Sequence, residues 1–130
     1  MKILLITQYF YPENFKSNDI AFELVKRGHE VDALVGIPNY PEGKIYSGYG
    51  LFKKRRESIK GVNVYRSFQI PRGTGGGLKL MINYLSFVLS SCLIELFYFA
   101  WRNYEAIIVH EVSPIFHAYP AFLLRKLIKV

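Results

Sequence analysis

At 130 residues and 51% apolar composition the chain is long enough for one domain with a real core, which excludes a disordered chain and a pair of lobes closing on a cleft. Its formal charge of +7 favours an anionic partner: a phosphate-bearing substrate, acidic lipid or nucleic acid. One cysteine, Cys92, excludes an internal disulfide, and the apolar run after Lys2 is too short for a secretory signal, so a cytoplasmic chain is expected.

Ile3 to Thr7 is a continuous apolar run, the pattern of a parallel strand buried on both faces. Pro12 ends it, and Ser17 or Asn18 is placed to cap the helix that follows. In that helix Ile20, Ala21, Leu24 and Val25 make one apolar face. Asp19 lies in its first turn and Lys26 and Arg27 in its last, as the helix dipole favours. Gly28 supplies a left-handed terminator. Val31 to Val35 reads as a second strand, which the right-handed crossover rule makes parallel to the first.

From Gly36 to Gly50 turn formers dominate, including Pro38-Asn39-Tyr40-Pro41. The basic run Lys53-Lys54-Arg55-Arg56 precedes a predicted hairpin. Its turn lies at Lys60-Gly61, and its second strand runs from Val62 to about Gln69. Pro71 to Gly77 reads as a flexible hinge, because the glycine run lacks both the dinucleotide fingerprint and the Gly-Lys-Ser/Thr ending of a Walker loop.

Leu78 to Trp101 is a long apolar helical stretch carrying a polar stripe at Lys79, Asn83, Ser86 and Ser90. Three roles stand open for it: a buried core helix, a helix lying in a membrane surface, or a span. Glu95 and the stripe oppose a span, and Trp101 and Tyr98 suit an interface. Ala106 to Val109 is a last strand, and Ser113-Pro114 opens a helix from Ile115 to Lys129. The fold class is therefore α/β, a Rossmann-like doubly wound parallel sheet. It is expected to be incomplete, because its last helix leads to no further strand.

Candidate site residues lie where strands end. Tyr11 and Glu13 follow strand one, Asn39 and Tyr40 follow strand two, and His110 and Glu111 follow the last strand, all at the edge where open α/β sheets bind ligands. Lys53, Lys54, Arg55, Arg56 and Trp101 are candidates for contact with an anionic membrane surface. His29 and His117 complete no zinc spacing, so no metal is expected. No nucleic-acid motif accompanies the charge, so nucleic acid is not expected as a partner.

Together, Tyr9-Phe10-Tyr11-Pro12-Glu13, Lys26-Arg27-Gly28-His29-Glu30-Val31, Pro38-Asn39-Tyr40-Pro41 and Gly61-Val62-Asn63-Val64-Tyr65-Arg66 resemble the N-terminal domain of family 4 glycosyltransferases. The similarity is to the bacterial group that builds capsule, O-antigen or colanic-acid-type polysaccharide, and it covers nearly the whole chain. The resemblance implies the acceptor-side lobe of a GT-B fold. It further implies a retaining enzyme with no cofactor, a nucleotide-sugar donor held by a second lobe beyond this chain, and a lipid-linked glycan acceptor. That second lobe would carry the family's Glu-x7-Glu motif and its donor-phosphate cations, so catalytic residues are unknown here and the 130-residue chain alone is expected to be inactive. The family's first-loop glycine pair is replaced around Lys16-Ser17. The expected location is cytoplasmic, peripheral to the inner face of the membrane. A non-enzymatic, membrane-associated α/β binding module is the alternative.

Overall fold

A computed structural model describes residues 1–50, 52–110 and 119–128. Strands β1 (Lys2–Thr7), β2 (Glu30–Val35), β3 (Arg56–Ile59), β4 (Val62–Arg66) and β5 (Ala106–Val109) form one sheet in the order β3-β4-β2-β1-β5. All neighbours are parallel except the hairpin pair β3 and β4. Helices α1 (Lys16–Lys26), α2 (Gly77–Ile94) and α3 (Tyr119–Ile128) accompany it, and α2 runs on into a π-helical turn, Glu95–Phe99. The chain is thus an α/β protein with a mixed, mostly parallel sheet, compatible with a Rossmann-like fold.

Alternating residues of the central strands feed two cores. On one face Leu5, Val31, Ala33, Val35, Val62 and Val64 pack against Phe10 and Ala21, with Phe22, Leu24 and Val25 of α1 closing over them. On the other, Leu4, Ile6 and Leu34 meet Phe99, Tyr104 and Leu124. This double burial is why β1 and β2 read as unbroken apolar runs. The expected α1 face is present, and Gly28 ends the helix at φ +86 as predicted. The expected caps are not. Phe15 occupies the cap position with no side-chain bond, while Ser17 and Asn18 turn back into the preceding loop.

Near the amino-terminal edge a buried carboxylate, Asp32, sits within the apolar layer of β2. Arg102 pairs with it at 3.1 Å, the Tyr104 hydroxyl donates to it, and Asn63 Nδ2 donates at 2.9 Å. These partners satisfy a charge that would otherwise be costly so deep in the fold. Burial, reinforced by the bond to Asp32, pushes the Tyr104 phenol well above its usual range.

The predicted second hairpin strand ends at Arg66, three residues early. Ser67 to Ile70 remain alongside α2 and exchange hydrogen bonds with its side chains. Ser90 Oγ accepts from the Phe68 N–H at 2.7 Å, and Ser86 Oγ accepts from the Ile70 N–H at 2.9 Å. Asn83 Nδ2 donates to the Ile70 carbonyl at 2.6 Å, and the Ser67 and Ser91 hydroxyls lie 3.1 Å apart. A polar stripe thus does for this segment what a neighbouring strand would otherwise do, satisfying its backbone groups.

The consequence is a helix whose polar stripe turns inward at Asn83, Ser86 and Ser90, while Lys79 stays exposed. Asn83, Phe87 and Ser91 are buried, while Leu78, Met81, Leu85, Leu89, Leu93 and Phe97 line the exposed side at steps of three and four. The 77–99 stretch is long and apolar enough to cross a membrane by composition. Its inward bonds tie it to Gln8 and the Ser67–Ile70 segment, and with most of its described residues open it is not a fully buried core helix. Glu95, weighed against a span in the sequence, has a side chain outside the described residues. The start of the predicted last helix, with Ser113, Pro114 and His117, also lies outside them, and the described part of α3 begins at Tyr119.

This packing predicts an inverted ranking of substitutions on α2. Asn83→Leu strands the Ile70 carbonyl and one bond of Gln8, and is expected to cost about 2–4 kcal/mol. Leu89→Ser, on a residue 66% exposed, is expected to change stability by about 0.5 kcal/mol or less. Urea unfolding of both variants checks it; a larger loss at Leu89 than at Asn83 would mean the faces are reversed.

Candidate functional site

The loops after β1, β2 and β4, together with His110 after β5, meet at the carboxyl edge of the parallel strands. The strand order reverses there, since β2 and β5 flank β1 on opposite sides. Such a switch point opens a crevice that loops can line.

Glu13 organises this edge. Its Oε1 accepts from the Asn39 and Tyr40 N–H groups, each at 2.8 Å, so the β1 loop is tied to the β2 loop. Burial pushes its carboxyl up to about 7, although the backbone N–H donors and the Arg66 guanidinium oppose that shift. Arg66, buried at the end of β4, donates to the Gly36 carbonyl at 3.0 Å and to the Tyr11 carbonyl, and pairs with Glu57 at 2.9 Å. One carboxylate and one guanidinium therefore hold three loops in register.

A buried amide network runs beneath. Gln8 Nε2 donates to Asn83 Oδ1 at 2.6 Å and to Gln69 Oε1 at 3.1 Å, and Gln69 Nε2 donates to the Ile37 carbonyl at 2.6 Å. The Gln8 Oε1 and His110 Nδ1 atoms are buried with no partner among the described residues. At the same edge Tyr9 stacks on Phe15 with ring centres 4.7 Å apart, and both rings meet the half-exposed Tyr40. The Arg72 guanidinium lies 5.2 Å over Tyr40, and burial pushes the Tyr9 phenol up to about 12, so it stays protonated at neutral pH. The result is an aromatic platform beside a cation, with hydroxyl and amide groups around it. Such a surface can stack on a sugar ring and bond its hydroxyls.

The predicted site residues fare differently. Tyr11 and Tyr40 are exposed at the edge, whereas Glu13 and Asn39 are buried and committed to the backbone; Asn39 Oδ1 accepts from the Arg72 N–H at 3.2 Å. His110 continues the β5 ladder by donating its N–H to the Ile6 carbonyl, while Glu111 lies outside the described residues. The basic run divides. Lys53 and Lys54 are exposed, Arg55 donates to the Arg66 carbonyl, and Arg56 joins β3 with its guanidinium 4.5 Å over the Tyr98 ring. Trp101 is 86% exposed.

The glycine run differs from the hinge expected of it. The Gly73 N–H donates to the Gly43 carbonyl at 3.1 Å, and a Cβ on Gly43, whose φ is +73, would lie 1.8 Å from the Gly73 carbonyl oxygen. The run is thereby tied to the β2 loop. Sequence reasoning missed Gln8, Tyr9, Arg66, Gln69 and Arg72. A polar residue directly after an unbroken apolar strand was the available signal for Gln8. Among the described residues no three His, Cys, Asp or Glu side chains converge as a metal site would.

Glu13 makes stability pH-dependent in a defined direction. Its folded value, about 7, lies above the ordinary 4.5, so its contribution is complete below about pH 4.5 and is lost as pH rises through about 7. The unfolding free energy of the wild type minus that of Glu13→Gln is expected to fall by about 3 kcal/mol at most between those limits. Urea titrations at intervals from pH 4 to pH 8 check this; a flat difference would mean that the Glu13 carboxyl titrates alike in the folded and unfolded chain.

No family model matches the chain, and no curated protein matches it.

Proposed function

We propose that this chain is the acceptor-binding lobe of a retaining glycosyltransferase of the GT-B type. It would work on a lipid-linked glycan at an anionic membrane surface, with the nucleotide-sugar donor held by a second lobe. The observation that carries this reading is the pairing of two features on one domain: a carboxyl edge furnished with the Tyr9–Phe15–Tyr40 platform and Arg72, and an α2 whose leucines face outward. The first suits the sugar and phosphate groups of an acceptor. The second suits a bilayer that carries the acceptor's lipid. The resemblance to family 4 sequences supplies the reaction class.

In this reading the lobe contributes binding and orientation. Tyr40 stacks on the acceptor sugar, and Arg72 faces acceptor phosphate. The orphaned Nδ1 of His110, at the switch point, is available to an acceptor hydroxyl. Transition-state charge on the leaving diphosphate falls to the other lobe, so the chain by itself has no turnover. Basic residues near α2 draw the domain to acidic headgroups. The protein is accordingly cytoplasmic and peripheral to the inner face of the membrane.

Binding, rather than turnover, tests the reading in this chain. A lipid-linked glycan in nanodiscs is expected to bind, and a panel of nucleotide sugars is not. Tyr40→Ala is expected to weaken acceptor binding roughly tenfold, within the range for losing one stacked aromatic contact. Saturation-transfer NMR reads both. Nucleotide-sugar binding without acceptor binding sinks the lobe assignment. Adhesion to lipid with no glycan dependence favours the non-enzymatic membrane module instead.

A further inference from the structure

Two depressions adjoin on the outer flank of α2 and share one residue, Ile94. The first, about 230 Å3, lies between the β3–β4 hairpin and the end of the helix and is lined by Arg55, Arg56, Tyr65, Arg66, Ile94 and Tyr98. The second, about 460 Å3, is apolar and runs along the helix between Phe68, Leu89, Leu93 and Ile94. Arg55 and Arg56 therefore border a hydrocarbon-lined groove, with Arg66 buried behind them.

The three arginines are not equivalent. Arg66 is spent on Glu57 and on carbonyls. Arg55 is partly held by the Arg66 carbonyl. Arg56 lies on the exposed side of β3, stacked 4.5 Å from the Tyr98 ring and 5.5 Å from Tyr65. Its neighbours thus fix the plane of the guanidinium, while among the described residues no carboxylate pairs with it. A planar fork flanked by aromatic faces, with no carboxylate on it among the described side chains, is suited to bidentate recognition of a phosphate.

We propose that the joined depressions form a binding site for one anionic phospholipid of the bilayer. Its headgroup phosphate sits on Arg56, with Arg55 beside it, and the upper part of an acyl chain lies in the Phe68–Leu89–Leu93–Ile94 groove. This rests on the reading that α2 meets a membrane, and it adds the lipid class and the residues that select it. Charge complementarity decides the occupant. A second copy of a chain of net charge +7 would set arginine against arginine across the groove, whereas an anionic lipid brings a negative group to Arg56 and apolar cover to the groove together. The groove also continues into the outward row Leu85, Leu89, Leu93 and Phe97, which would lie in the bilayer surface. There the site meets bulk phospholipid at a far higher density than any carried substrate.

The test uses the chain with monomeric dihexanoyl-phosphatidylglycerol below its micelle concentration, followed by NMR shifts at Ile94 and the Arg56 side chain. Saturable binding is expected. Dihexanoyl-phosphatidylcholine should bind at least roughly tenfold more weakly, and glycerol phosphate alone should leave Ile94 unmoved, since each lacks one half of the match. Arg56→Gln should weaken binding roughly twentyfold or more, the range for losing hydrogen bonds to a charged group. Arg56→Lys should recover little of that, because it restores charge without the fork. Lys53→Gln, which removes a charge outside the pocket, should cost about fivefold or less. Far-UV circular dichroism checks that each variant is folded. Equal losses in Arg56→Gln and Lys53→Gln, or no saturable binding by the folded wild type, overturn the site. A parallel arm follows the fluorescence of Trp101, the one tryptophan, on anionic vesicles. A blue shift there without soluble-lipid binding leaves the membrane reading standing and removes this site; no shift and no binding remove both.

Discussion

The fold turns on how the backbone of Ser67 to Ile70 is satisfied. After β4 this segment keeps one bond to β2, from the Ser67 N–H to the Val35 carbonyl, and then leaves the sheet, yet Ser67 and Gln69 are fully buried. A backbone group left without a partner costs about 1–3 kcal/mol when buried, and less where water reaches it. Asn83, Ser86 and Ser90 answer the groups at its half-open margin, the Phe68 and Ile70 N–H and the Ile70 carbonyl. Their spacing of three and four puts all of them on the one face of α2 that meets the segment.

Everything distinctive about the surface follows from that choice. A helix has one inward face, and here polar residues occupy much of it, so the leucines are left on the other side. In a helix over a sheet the reverse arrangement is usual, because apolar burial is the larger driving force. Here the apolar contact with the sheet is concentrated in Ile94 and Phe99, while exposed leucine and phenylalanine remain for something outside the domain. The same arrangement links that outer surface to the carboxyl edge. Asn83 bonds both Ile70 and Gln8, and Gln8 lies directly after β1. A change at the helix is therefore felt at the edge through two hydrogen bonds.

The edge is held by charge buried in backbone. Glu13 is answered by peptide N–H groups of the β2 loop, and Arg66 by the Glu57 carboxylate together with the Tyr11 and Gly36 carbonyls, with no direct ion pair between the two among the described residues. Such an arrangement fixes loop geometry tightly, because backbone donors and acceptors cannot rotate away. It also explains why Glu13 and Asn39, despite standing in motif-like positions, present little to a ligand. Their work is to hold Tyr9, Tyr40 and Arg72 in place.

By itself the sequence determined the elements that depend on local pattern. The apolar runs of β1 and β2, the α1 face with its Gly28 terminator, the Lys60-Gly61 turn and the β5 run are written in period and in turn chemistry, which act within a few residues. Only the tertiary structure decided which way α2 faces, since periodicity shows that a stripe exists but not what it meets. It alone decided that Ser17 and Asn18 bind the loop rather than cap the helix, that the glycine run is pinned to Gly43, and that Arg56 stacks on Tyr98 while Lys53 stays in solvent. Each of these is a contact between residues far apart in the chain or across a turn, and side-chain chemistry read along the sequence carries no information about such distances.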